Sequence, residues 1–176
     1  WEKYLLNLSK KQRHETRRKI NNLINTTNYS WEILQGEKIN EESLKTFLNL
    51  AKKSSLEKKT FFSSNYINLF EQIIEKLNQN SILNLSFLNI NGVSVSANIL
   101  FDYQNKRMLY NSGFNPKFKK LSEGIINTYF CIKDAIEKQF NSFDFLKGNE
   151  EYKFRLGANK TTKIYTINVF KKTFDI

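Results

Sequence analysis

Two stretches of the chain gather side chains that handle charge and protons. Residues 10–19, KKQRHETRRK, hold six cations (Lys10, Lys11, Arg13, Arg17, Arg18, Lys19) against Glu15 alone. Arginine's planar fork suits two-pronged contacts to phosphate or carboxylate. Arg13 and Arg17 are therefore candidate contacts to an anionic substrate, and a solvated helix face is the plainer use of the same residues. Lys117, Lys119 and Lys120 form a second basic cluster just before Ser122, Glu123 and Gly124. Further on, Asp144 stands inside the apolar run Phe-Asp-Phe-Leu, where a carboxylate must be paired or must face a cleft. It reads as a base or as the partner of a cation. Tyr152 is able to protonate a leaving group, though packing is the commoner use of an aromatic ring. Glu123 fits either a base or simple charge compensation at a helix start.

Other chemistries fall away. One Cys and one His cannot build a zinc site, and no internal disulfide is possible. No metal is expected. His14 reads as a surface residue and Cys131 as a small buried hydrophobe, so a Ser-His-Asp arrangement is not expected. The chain has 176 residues with 28 Lys+Arg against 17 Asp+Glu, a formal net charge of +11. A hydrophobic content of 40% excludes a disordered chain. No apolar run approaches the roughly 20 residues that span a bilayer. No helix-turn-helix, finger or RNA-binding aromatic motif accompanies the charge. The expectation is one cytoplasmic domain over 1–176, and a start without Met is read as a piece of a longer protein.

These groups need a scaffold, and periodicity supplies one. Residues 3–25 read as a helix with apolar ends and a basic middle, and 28–35 as a strand. Asn40 caps a helix with Leu44, Phe47, Leu48 and Ala51 on one face. After a break at 54–63, Ile67, Phe70, Ile74 and Leu77 mark a helix over 64–79. Strands 81–90, 93–101 and 107–113 make an antiparallel meander, with Asn91-Gly92 as its first turn. A helix over 122–140 follows, with Ile125, Tyr129, Ile132, Ile136 and Phe140 inward. A buried strand at 143–146, a helical turn at 150–156 and a strand at 162–170 complete the pattern. All six glycines fall at element boundaries. The helix over 122–140 can carry the chain across so that 143–146 lies parallel to 107–113. Two strands then diverge beside a helix N-terminus, a place that favours an anion.

This order resembles the GNAT acyltransferase fold: a mixed α/β (α+β) domain with a mostly antiparallel twisted sheet, helices on both faces and a splayed strand pair. FDFLKGNEEYKFRLG (143–157) and YNSGFNPKFKKLSEG (110–124) resemble motifs of the FemAB-like, CelD-type branch, and the Arg-rich opening resembles that branch's first helix. The resemblance covers residues 10–165 and implies a C-terminal lobe of a two-lobed protein. It implies acyl transfer from acetyl-CoA or another acyl-CoA to an amine or hydroxyl, on a small molecule or a glycan precursor. It implies donor contacts along Tyr110, Asn111, Ser112 and Gly113, with oxyanion donors among their backbone N–H groups, and further contacts at Lys119, Ser122, Glu123 and Gly124. It makes Lys153 the first catalytic candidate, with Asp144 and Tyr152 beside it. One departure stands out: the glycine-rich pyrophosphate loop of ordinary GNAT enzymes is replaced by Lys119-Lys120-Leu121-Ser122-Glu123-Gly124, with a single glycine. Two alternatives follow from the same resemblance. One is transfer from aminoacyl-tRNA, the only reading that brings in nucleic acid. The other is a non-catalytic lobe that scaffolds a second GNAT lobe or binds polyanions.

Overall fold

The computed structural model describes residues 1–63 and 66–169. Its frame is the meander. Asn91 and Gly92 sit at φ 51° and 75°, the left-handed pair that joins β2 (Leu83–Ile90) to β3 (Val93–Tyr103). Gln104 and Asn105, at φ 48° and 57°, turn β3 into β4 (Lys106–Phe114) in the same way. β1 (Tyr29–Gln35) pairs antiparallel with β2, and β5 (Ser142–Asp144) pairs parallel with β4. The sheet order is β1-β2-β3-β4-β5, so the expected parallel crossover is present.

Helices cover both faces. α3 (Glu41–Ser54) starts at Asn40, whose side chain accepts from the Ser43 N–H while Ser43 reciprocates. With α5 (Tyr66–Gln79) it packs an apolar layer on one face: Phe47, Leu50, Phe62, Phe70 and Ile74 against Leu85, Phe87, Ala97 and Ile99. The other face carries α2 (Lys10–Thr26) and α6 (Glu123–Glu137), with Leu23 and Ile126 against Leu88, Ile90 and Val95. Under α6 this face is polar. Asn127 Oδ1 accepts from Trp31 Nε1 (2.9 Å) and from Ser86 Oγ (3.0 Å), and Asn127 Nδ2 donates to Ser96 Oγ (3.2 Å). The Cys131 thiol donates to Ser86 Oγ at 3.1 Å and accepts from Asn98 Nδ2 at 3.4 Å. Cys131 is the buried residue expected, and burial pushes its thiol up to about 11.

Five expectations need correction. The opening helix is two helices, α1 (Glu2–Asn7) and α2, because Ser9 and Gln12 form a capping box that starts a new one. The break at 54–63 contains α4 (Leu56–Phe61), capped by Ser55 accepting from the Lys58 N–H. α6 buries Ile126, Asn127, Cys131 and Ala135 and leaves Ile136 exposed, because its polar seam must face Ser86, Ser96 and Asn98. β5 is short and half-exposed rather than buried. Finally, residues 162–169 form no strand, and Ile164, Tyr165, Ile167 and Val169 are exposed. Their alternating pattern requires a partner edge, and they pair with none of the five strands. Residues 64, 65 and 170 of the expected elements lie outside the described residues.

Candidate active site

β4 is closed along half its length and open along the other. Lys106, Arg107 and Met108 pair with Ser142, Phe143 and Asp144, and there the pairing with β5 ends. On the β3 side, Leu100 faces Leu109 and Ile99 faces Asn111, so Tyr110 is the extra residue of a β-bulge. The bulge bends β4 where β5 leaves it. Beyond the bulge the Asn115 N–H donates to the Val95 carbonyl at 2.8 Å. Antiparallel alternation then turns the backbone groups of Ser112 and Phe114 away from β3, into the splay. Side chains meet the Ser112 groups instead of a strand. The Ser112 N–H donates to Asn111 Oδ1 at 2.8 Å, and the Ser112 carbonyl accepts from Lys58 Nζ at 2.5 Å. Gly113 is required here: a Cβ would lie 2.3 Å from the Ala51 backbone nitrogen of α3.

The far wall of the splay is the turn after β5. Lys153, on α7 (Glu151–Arg155), is buried. Its ammonium donates to the carbonyls of Lys147 (2.7 Å) and Gly148 (3.3 Å) and pairs with Glu150 at 2.9 Å. These three partners fix the turn from inside. Gly148, at φ 112°, leaves the space that the Glu150 carboxylate folds into. The Lys153 hydrogen bond, with Lys58 acting through space, holds Glu150 below the usual carboxylate range. Tyr152 is half-buried against Phe145, and burial raises its phenol.

At one end of the splay stands the N-terminus of α6. Ser122 stands at the N-cap position at φ 58°, and its side chain makes no capping hydrogen bond. It accepts from Lys19 Nζ at 3.0 Å instead. A 3-10 turn, Pro116–Leu121, precedes it and exposes Lys117, Lys119 and Lys120. Gly124 lies under Phe114, with a Cβ position 3.3 Å from its ring. Glu123 is buried, which raises its carboxyl above the ordinary range. The chain thus supplies an unpaired strand edge and, beside a helix N-terminus, four lysines, Lys19 included. An unpaired strand edge can take the amide groups of a ligand, and a helix end with cations can take its phosphates.

A family model described as an acetyltransferase (GNAT) domain matches residues 10–154. The chain belongs to this GNAT acetyltransferase family. Solved GNAT structures share the fold at low identity. An aminoglycoside acetyltransferase from an uncultured soil metagenomic sample is 10% identical with TM-score 0.57, covering 81% of this chain and 99% of that one. The aminoglycoside N-acetyltransferase AAC(6')-Iy, in a complex with CoA, is 14% identical with TM-score 0.55, covering 81% and 97%. A ribosomal-protein-alanine N-acetyltransferase from Brucella melitensis is 10% identical with TM-score 0.51, covering 81% and 99%. No curated protein sequence matches the chain.

The sequence-derived candidates do not form one cluster. Tyr110, Asn111, Ser112 and Gly113 line the open half of β4, and Lys119, Ser122, Glu123 and Gly124 surround the α6 N-terminus. Asp144 does not pair with Lys153 or with an arginine: it is exposed, and its Oδ1 accepts from the Leu146 N–H at 2.8 Å. Arg13 reaches the Leu6 carbonyl at 3.5 Å, and Arg17 pairs with Glu2 at 2.8 Å, both on the exposed side of α2. Lys58 and Glu150 escaped sequence reasoning, and Lys19 was read only as one cation of the basic stretch. Lys58 sits in a lysine-rich segment with nothing local to set it apart, and only the fold brings it to Ser112. Among the described residues no helix is long and apolar enough to cross a membrane.

Proposed function

We propose that the splay between β4 and β5 binds acetyl-CoA or another acyl-CoA and that the chain passes the acyl group to an amine or hydroxyl of a sugar-like acceptor. The observation that carries this reading is the open half of β4, with Ser112 backbone groups turned into a cleft that ends at a basic helix N-terminus. The α6 N-terminus with Lys19, Lys119 and Lys120 would hold the pyrophosphate, a different solution from a glycine-rich loop. The sugar-like acceptor is supported by the likeness to structures solved with aminoglycoside ligands, one with sisomicin and one with a CoA–acetylneamine bisubstrate analogue. The resemblance at 143–157 supports the FemAB-like branch and, with it, a second lobe upstream.

Bound acyl-CoA supplies an activated thioester; the chain's own residues orient it and move protons. Asp144, exposed at the end of β5, takes the acceptor's proton. Tyr152, a phenol that carries its proton at neutral pH, gives one to the leaving thiolate. Lys153 serves by fixing the 147–150 turn, since its ammonium protons are committed to internal acceptors. The Ser112 N–H reaches an oxyanion once Asn111 Oδ1 swings away.

Calorimetric titration with CoA, and with ATP and total tRNA as anion controls, tests the reading at two salt concentrations. Saturable CoA binding that exceeds ATP binding and survives salt is expected. CoA binding no tighter than ATP would overturn it, and tRNA binding with a steep salt slope would favour an aminoacyl-tRNA donor.

A further inference from the structure

Lys58 is the second lysine of the splay, and it differs from Lys153. Lys153 is buried and meets two carbonyls and a carboxylate. Lys58 reaches the cleft from α4, half-buried. Its ammonium donates to the Ser112 carbonyl, while Glu57 and Glu150 act on it only through space. Its neighbours Glu57, Lys59 and Thr60 are all exposed, so α4 turns this one cation inward. Burial disfavours its charged form and holds it below the usual lysine range. The atom it touches belongs to the strand edge along which the acyl donor lies in the reading above.

We infer that Lys58 is a self-acylation site: with acyl-CoA bound and no acceptor present, its Nζ takes the acyl group. This inference rests on the donor lying along the open half of β4. The lysine first gives one proton to solvent. The free amine then attacks the thioester carbonyl carbon, a C–N bond forms, and the C–S bond breaks. Sulfur leaves with the electron pair and takes the proton that nitrogen sheds, so the products are Nε-acyl-lysine and free CoA. The new amide keeps one N–H, which still donates to the Ser112 carbonyl. The modified side chain therefore closes the strand edge as a neutral plug, and the cleft loses a charge. Lys117, Lys119 and Lys120 stand exposed at the far end of the donor, away from its thioester.

The test incubates the whole chain with acetyl-CoA, without acceptor, and follows intact mass and peptide maps over time, with CoA binding measured in parallel. One acetyl group on Lys58 is expected, at a rate that saturates with acetyl-CoA. It should form about tenfold or more faster than on Lys117, Lys119 or Lys120, because the bound donor holds its thioester beside Lys58 and not beside them. Lys58→Arg keeps the charge, and it should bind CoA yet gain no acetyl group at that rate. CoA binding with acetyl groups spread over the surface lysines would overturn the inference and leave the donor site standing. Equal labelling of Lys58 in urea-unfolded chain would overturn it too. Absence of CoA binding would overturn the donor site and this inference with it.

Discussion

The two halves of β4 solve opposite problems with neighbouring residues. In the first half, strand pairing to β5 uses the outer edge, and Arg107 locks the junction. Arg107 is fully buried, forked onto Asp102 of β3 (2.7 Å), joined to Asp134 of α6 (2.5 Å) and stacked 4.9 Å over the Phe140 ring. Burial works against its charge, yet the two carboxylates raise its pKa above the ordinary arginine value. In the second half the bulge at Tyr110 removes β5, and side chains that can move, Lys58 and Asn111, stand in for a strand. A backbone partner would be permanent, whereas a side-chain partner can be replaced by a ligand. The comparison teaches that the open edge stands next to a closed one: Arg107 ties β4 to β3 and α6 where β5 pairs.

Breaking the closed half should have the largest effect. Arg107→Ala leaves Asp102 part-buried without its cation and Asp134 with Lys138 alone, and a loss of about 3 kcal/mol is expected in urea unfolding. A change within a few tenths of a kcal/mol would show that Arg107 locks nothing. Next comes Gly113→Ala in the open half. The added methyl meets the α3 backbone, which cannot yield as a side chain would, so about 1–3 kcal/mol is lost. CoA affinity should fall with it, because α3 moves off β4. Unchanged affinity in a destabilised variant would separate that packing from the site. Lys119→Ala with Lys120→Ala is milder. Two exposed cations together contribute about 1 kcal/mol, so CoA binding weakens about fivefold at low salt and less at high salt, read by calorimetry.

The smallest effect belongs to Glu123. Burial raises its carboxyl, so the folded chain holds that proton more tightly than the unfolded chain does. Stability therefore falls as pH rises through the raised value and is unaffected below about pH 4, where both states are protonated. Melting temperatures of the natural chain and of Glu123→Gln should run parallel at low pH, with the natural chain dropping below the variant as pH rises. A gap that widens toward low pH instead would contradict this placement.

Local elements were far more legible than the contacts between them. Asn91-Gly92, the Asn40 cap and the alternation of β2 and β3 are local signals, each decided by a few adjacent residues. The parallel return of β5 followed from the length of α6 and the handedness of crossovers. By contrast, α6 carries apolar residues on more than one side, Ile125 and Ile126 among them, so periodicity alone placed Ile136 inward. The sheet decides the matter, since Ser86, Ser96 and Asn98 bring Asn127 and Cys131 to face them. Residues 162–169 carry a strand pattern, but a strand exists only against an edge, and which edge is not written in the segment itself. The basic loop and the β4 edge were legible as separate motifs. Lys58 was not, because its contact joins α4 to β4, elements distant in sequence. The partners of Lys153 lie within six residues of it, but a lysine buried under its own turn leaves no periodic signal.

Hydrogen exchange of the chain with and without CoA tests the central claim most directly. The Ser112 and Phe114 amides face the splay, whereas those of Lys106 to Met108 lie where β5 already pairs. CoA should slow exchange at Ser112, Phe114 and the first turn of α6 while leaving the β5-paired half unchanged. Protection confined to the basic face of α2, with β4 exchanging as before, would contradict the placement of the donor in the splay.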